Sequence, residues 1–503
     1  MSSWDDLVKN IPYEEWATSR YKGLDRLERT LMGSQYAHLQ YPFHFEVDPA
    51  SKQYIPLNER RPSVIYRLPA SVVQDTVDKL FSGRHWPHFK GVEDHQSDLI
   101  HEIEMLTRKT NLEKALRKAV FVGAVGSVFV SFKYVDKILS FDVWNPKNCL
   151  PVFDAKGELQ EVKIFYKAKV DSLLALGYEL DDKERAQDEL WWGKRFTKEK
   201  EIAYVPSDKA APPDWSEWAV DESRSKEHDL GFVPGVWIEN LPGGVFPDGG
   251  CTFENLLELC VEIDYQLSQA GRGFKYSAAP QLAVRGLANM AIGTNGRTVV
   301  RSPANILELH PGDDVTKPGD AKLLEMQGQG LRATMEYVKL LRSYALETTK
   351  GSRKDPERLT AIPMSGKAME TLEEELLDLI QSLRESYGDH GLLPLLKLVL
   401  RAGEKLGLVK TYNEEDFDEI QLLWPKVFLP SAAEIQEYAT ALLQGVQGAF
   451  MLPEMANLLL QVFLDLPHPI DMPSLSGAPT PDASITFGSK VPVKEPEPEG
   501  SDE

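Results

Sequence analysis

The chain has 503 residues, 42% of them hydrophobic, enough to bury several cores and, at about 150 residues per domain, to build about three domains. Lys and Arg number 56 against 77 Asp and Glu, a formal net charge of −21, so the surface on average repels a polyanion and tight enclosure of nucleic acid through counterion release is not expected of the chain as a whole. Cys149, Cys251 and Cys260 are odd in number and lack metal-ligand spacing, which argues against a disulfide framework or a zinc cluster and for a reducing compartment. The opening Met1-Ser-Ser-Trp-Asp-Asp has no basic or apolar leader, and no uncharged apolar run approaches the ~18–20 residues of a membrane span, so the expectation is a soluble intracellular protein.

Residues 1 to about 95 read as helical with irregular joints. Leu68-Pro69-Ala70 opens a helix whose stripe is Val73, Val77, Leu80 and Phe81, ending near Ser82-Gly83. Residues 97–124 are predicted helical again, with Thr110 and Glu113 as a capping box ahead of Leu112, Leu116 and Val120. After Gly123 and Gly126 the period becomes two: Val128, Val130, Phe132 and Tyr134 alternate with Ser127, Phe129, Ser131 and Lys133, a strand pattern. Further strands are predicted at 139–144, 161–168, 189–196, 201–205 and 231–239, making residues 1–245 an α+β unit. The breakers Leu241-Pro-Gly-Gly and Pro247-Asp-Gly-Gly are expected to end it.

From Thr252 to about Ala270, Phe253, Leu256, Leu257, Cys260, Ile263 and Leu267 recur at helical spacing, while Glu254, Glu258 and Glu262 fall nearly opposite. Like charges at i and i+4 disfavour an isolated helix, and from the helix alone an ordinary solvated face accounts for them better than a function does. Residues 277–330 are rich in Gly, Pro and Asn with short β pieces at 281–284, 297–301 and 306–309. A second amphipathic helix is predicted over 331–350, with Leu331, Met335, Val338, Leu341 and Ala345 on one side and Arg332, Glu336, Lys339, Ser343 and Glu347 on the other.

Residues 351–366 are interrupted by Pro356, Pro363 and Gly366, and around them Lys350, Arg353, Lys354, Arg358 and Lys367 outweigh Asp355 and Glu357, a basic loop. An acidic column beside a basic loop fits a passage that repels a polyanion along its walls and touches it at one point. Ser365 can cap the helix carrying Met369, Leu372, Leu376, Ile380 and Leu383; Gly388 to Gly391 is expected to break it, and another helix runs on to about Leu406. A strand at 419–424 and helices at 432–446 and 453–465 follow, and the Pro-rich tail 471–503, with two Lys against seven acids, is expected to be disordered.

Enzymatic signals are weak. Gly123-Ala-Val-Gly126 and Gly328-Gln-Gly330 resemble phosphate-loop fragments but lack the Lys-Ser/Thr such a loop needs. His85, His88, His95 and His101, beside Glu93, Asp94 and Asp98, have no i, i+4 His pair and suit a solvated loop better than a metal site. No Gly-x-Ser-x-Gly elbow occurs, and Cys149 suits a buried structural thiol. No catalytic residue, metal or cofactor is expected.

The order of these parts resembles the tailed-bacteriophage portal (head-to-tail connector) family over about residues 50–470. Local strings similar to that family are Asn145-Pro146 with Val152-Phe-Asp-Ala-Lys-Gly157, His228-Asp-Leu-Gly-Phe-Val-Pro234 before Trp237-Ile-Glu-Asn240, Pro363-Met-Ser-Gly-Lys-Ala368-Met-Glu, and Trp424-Pro425 to Pro430 with the segments Glu434 to Leu443 and Pro453 to Leu460. Their order, more than any one of them, carries the resemblance. It implies an α+β fold: a wing from 1–245 and 367–431 (the latter including a long kinked helix), stem helices within 246–276 and 331–350, a small β-rich clip at 277–330, a tunnel loop at 351–366, a helical crown at 432–470 and the acidic tail at 471–503.

The resemblance also implies a ring, usually of twelve subunits, in the virion at one capsid vertex, without catalytic activity. Double-stranded DNA would pass through it, driven by the large terminase subunit and later ejected, and head-completion and tail adaptor proteins would attach; major capsid and scaffolding proteins would be neighbours during assembly in the host cytoplasm. Carried over, Arg353, Lys354 and Arg358 become DNA contacts and Glu254, Glu258 and Glu262 channel-wall or inter-subunit charges. Another ring-forming virion protein, or an intracellular enzyme, are the alternatives, and neither predicts the helix, insert, helix arrangement.

Overall fold

A computed structural model of the chain describes residues 15–48, 50–91, 96–135, 137–208, 218–278, 281–285, 320–324, 329–349, 373–428, 432–447, 455–456 and 458–460. These form a mixed helix and sheet fold in two compact units, Met1–Phe428 and Leu429–Glu503. The second unit contributes one named helix, Ala432–Gln447, where the sequence predicts one; most of the helix expected at 453–465 and all of the tail lie outside the described residues. Among the described residues no helix is long and apolar enough to cross a membrane.

The first unit begins with α1 (Glu15–Met32), a short parallel pair of β1 (Tyr41–Pro42) and β2 (Arg60–Arg61), and α2 (Leu68–Phe81). Val73, Val77, Leu80 and Phe81 are all buried, as their spacing predicts. After β3 (His88–Lys90) come α3 (Ser97–Lys109) and α4 (Leu112–Gly123). The capping box does not form. The hydroxyl of Thr110 is buried without a partner among the described residues, and Asn111 is the N-cap residue. Its side chain turns away from the helix: the amide donates to the Phe141 carbonyl at 3.1 Å and accepts the Phe141 N–H at 3.0 Å.

β4 (Ser127–Val135) and β5 (Ile138–Trp144) follow, and β11 (below) completes an antiparallel sheet in the order β11-β4-β5. The alternation in β4 predicts one buried face, yet residues 127–132 are buried on both. One face, with Val128, Val130 and Phe132, joins the main helical core; the other carries Phe129 into a second core with Cys149, Val162, Ile164, Trp192, Phe196 and Trp237. That second core lies against a five-stranded antiparallel sheet of β6 (Cys149–Phe153), β7 (Leu159–Lys169), β8 (Glu189–Thr197), β9 (Lys200–Ala203) and β10 (Lys226–Glu227). Two short helices, α5 (Val170–Ala175) and α6 (Asp182–Arg185), fill the β7–β8 connection. β11 is Gly235–Glu239, shorter than the predicted 231–239 because Asp229 and Gly231 both take positive φ, at 46° and 78°, and turn the chain.

Residues 374–405 make one continuous helical rod. α9 (Glu374–Arg384) passes through a π-helical stretch, Glu385–Leu392, into α10 (Leu393–Lys405). Gly388 and Gly391 do not break it. They sit where neighbours come close: a Cβ on Gly388 would lie 2.6 Å from the Trp424 ring, and one on Gly391 2.9 Å from Ile238. After α11 (Glu414–Asp418), β14 (Gln421–Leu423) pairs antiparallel with β3, so the end of this unit returns to its beginning.

Candidate functional site: the paired helices and the junction that carries them

The breakers at 241–250 do not separate two parts; they knit them. Asn240 N–H and Gly249 N–H both donate to the carbonyl of Gly126, each at 2.9 Å, and Thr252 N–H donates to Ala124 at 2.9 Å. The Asn240 amide reaches the Gly250 carbonyl and the Thr252 hydroxyl at 2.8 Å each, and the fully buried Tyr387 hydroxyl donates to Asn240 Oδ1 at 3.1 Å. Asp248 receives Arg20 and the Ser127 hydroxyl. The glycines of Gly123-Ala-Val-Gly126 serve this packing. A Cβ on Gly123 would collide with the Tyr387 hydroxyl, and Gly126 holds φ at 151°.

From this junction a 3-10 turn, Glu254–Leu256, leads into α7 (Leu257–Ala278); beyond it β12 (Gln281–Arg285) pairs antiparallel with β13 (Asp320–Leu324), and α8 (Gln329–Thr348) returns. Phe253, Leu256, Cys260 and Ile263 share one core with Leu341, Ala345 and Leu346, so α7 and α8 pack side by side. The predicted strand at 281–284 is present; those at 297–301 and 306–309 lie outside the described residues.

Glu254 is exposed on the 3-10 turn. Glu258 is exposed on α7 and meets Arg26 of α1 at 2.9 Å, with side chains 85% and 65% exposed, a contact worth little in water. Glu262 is half-buried and accepts the Gln266 amide at 2.8 Å. Arg353, Lys354, Arg358 and the Ser365 cap lie outside the described residues.

On α8, Leu341 and Ala345 are buried as predicted, whereas Met335 is 38% exposed. Arg332, Glu336, Lys339, Ser343 and Glu347 are exposed. A second apolar row went unread: Tyr337, Leu340 and Tyr344, at i, i+3 and i+7, are 42%, 46% and 50% exposed. The spacing was its signal. The packed face of α7 likewise hides two polar residues, Asp264 and Ser268, each 1% exposed.

The thiols suit structure better than reaction. Cys149 is buried, its Sγ donating to the Asn145 carbonyl at 3.2 Å, and burial drives its pKa up. Burial pushes Cys251 and Cys260 up to about 12. Of the histidines expected to be solvated, His88 and His101 are exposed and His95 lies outside the described residues, but His85 is buried, with Nδ1 2.9 Å from the Ser82 hydroxyl and 3.0 Å from the Asp78 carbonyl. Among the described residues no three His, Cys, Asp or Glu side chains are grouped to hold a metal ion.

No protein-family model matches the chain, and no curated protein does. Among solved structures, a chain of one described as "Neck of empty GTA particle computed with C6 symmetry" aligns over 77% of this chain and 88% of its own, at 12% identity and a TM-score of 0.38.

Proposed function

We propose that this chain is a portal subunit of a tailed bacteriophage: it forms a ring of about twelve copies at one capsid vertex, through which terminase packages double-stranded DNA and onto which head-completion and tail proteins attach. One arrangement carries this reading, the helix, β insert, helix excursion of α7, β12, β13 and α8, rooted in the junction at 240–252. The row Tyr337, Leu340 and Tyr344 supports it, because an apolar helix face left half exposed by its own subunit is the surface a ring interface would cover.

The chain's charge suits a conduit. Each firm phosphate contact adds to the barrier against sliding, so a wall bearing Glu254, Glu258 and Glu262 keeps the polymer centred, while Arg353, Lys354 and Arg358 supply the few points of touch. In this reading the subunit performs no catalysis. The terminase supplies the motor, and capsid and scaffolding proteins place the ring in the virion.

Native mass spectrometry of the purified chain, with negative-stain imaging of the same sample, tests the proposal. A closed ring near twelve subunits with a central hole is expected. A compact dimer or tetramer without a channel would overturn it.

A further inference from the structure

Asp264 closes the neck of an excursion of the chain. Its Oδ1 accepts the Tyr66 N–H at 2.7 Å, and its Oδ2 accepts the Tyr36 hydroxyl at 3.0 Å and the Gln35 amide at 3.4 Å. One turn on, the Ser268 hydroxyl accepts the Val64 N–H at 3.1 Å while donating to the Asp264 carbonyl at 2.8 Å. Residues 35–36 and 64–66 are the two ends of one segment, 37–63, and both converge on this carboxylate. On the same helix, the Tyr265 hydroxyl donates to the Arg60 carbonyl at 2.9 Å and, farther along, Arg272 pairs with Glu46, so the segment lies along α7.

The side chains and amides that meet Asp264 are neutral donors. From its own helix it is faced by Cys260 and Tyr265; from the first end of the segment by Tyr36 and Gln35; from the second by the Tyr66 N–H. Of the segment's cations, Lys52, Arg60 and Arg61, Arg60 is the buried one, 2% exposed; it lies between the rings of Phe43 and Tyr54 and faces Tyr265. Among the described residues no cation forms an ion pair with Asp264.

We propose that Asp264 is a proton-operated latch: protonated, it holds residues 37–63 closed along α7, and ionised, it loosens them. A buried carboxylate surrounded by neutral dipoles keeps its charge at a cost that water would remove. Burial therefore raises the Asp264 pKa from 3.8 to about 6, against the opposing pull of the Tyr66 and Tyr36 hydrogen bonds. Opening the neck returns the carboxyl to water and its ordinary value. The closed form thus binds the proton more tightly, closure is strongest below the ordinary carboxylate range, and it weakens as pH rises through about 6. The latch operates within one subunit and holds whether or not the chain forms a ring.

Hydrogen exchange on the full-length chain, followed by mass spectrometry on peptides spanning Val64 to Tyr66, tests it. After correction for intrinsic rates, protection should fall about tenfold between pH 5 and pH 7.5. Asp264→Asn should flatten that dependence, whereas Ser268→Ala should lower protection at both pH values and keep the slope. Protection independent of pH in the native chain, or the native slope persisting in the Asn variant, would overturn the proposal. If Asp264→Asn does not fold, Tyr36→Phe serves instead: losing a donor to the anion should move the midpoint to higher pH, and an unmoved midpoint overturns the latch.

Discussion

Arg20 and Asp248, 228 positions apart, form a two-pronged ion pair with Nη2 to Oδ1 at 2.8 Å and side chains only 9% and 11% exposed. The same guanidinium donates to the carbonyls of Cys149 at 2.8 Å and Pro146 at 3.1 Å. One side chain thereby ties α1, the start of β6 and the loop from which α7 departs. Asp248→Ala removes the ion-pair partner that guanidinium has among the described residues and should cost on the order of 3–5 kcal/mol, read from urea unfolding. A loss under about 1 kcal/mol would mean water reaches the site.

The glycines of the chain separate into two kinds. Gly388→Ala sets a methyl against Trp424, which is already held by Phe81 with ring centroids at 5.5 Å and by Arg384 at 5.1 Å. That substitution should destabilise by about 1–3 kcal/mol. Gly23, inside α1, has nothing within 4 Å of an added Cβ. Gly23→Ala should stabilise by about 0.5–1 kcal/mol, so thermal melts of the two variants should move in opposite directions.

The row on α8 separates folding from assembly. Leu340→Asp with Tyr344→Asp changes side chains already half exposed and should leave subunit stability within about 0.5 kcal/mol, while abolishing the proposed ring in native mass spectra. Leu256→Asp, at a residue with no exposure, should instead unfold the junction and lower the melting temperature sharply.

If the chain is the proposed portal subunit, replacing Arg353, Lys354 and Arg358 together by Gln should leave the ring intact and reduce packaged DNA. Genome length and particle yield unchanged from the native protein would remove these residues from any role in gripping DNA.

Periodicity alone located several elements: the stripe of α2, the run from α4 into β4, and the β7 and β8 strands all fall close to their predicted places. What periodicity missed depends on distant partners. Phe129 resembles the minor face of a half-buried strand until a second sheet covers it. The Gly388 to Gly391 stretch has the composition of a break, yet it stays helical where Trp424 and Ile238 pack so close that only glycine fits without a shift. Asp264 looks like one more solvent-facing acid because its donors, Tyr36 and Tyr66, come from about two hundred residues upstream. The acid positions Glu254, Glu258 and Glu262 were legible as a pattern, but their individual settings were not: only Glu262 is held by a neighbour on its own helix.

Asn111 has a consequence for solubility. β5 is the outer strand of its sheet, and the Asn111 amide occupies both hydrogen-bonding groups of Phe141 at the middle of that strand. A side chain thus does what a further strand would do and denies another chain the template for edge-to-edge pairing, which guards against aggregation from this edge.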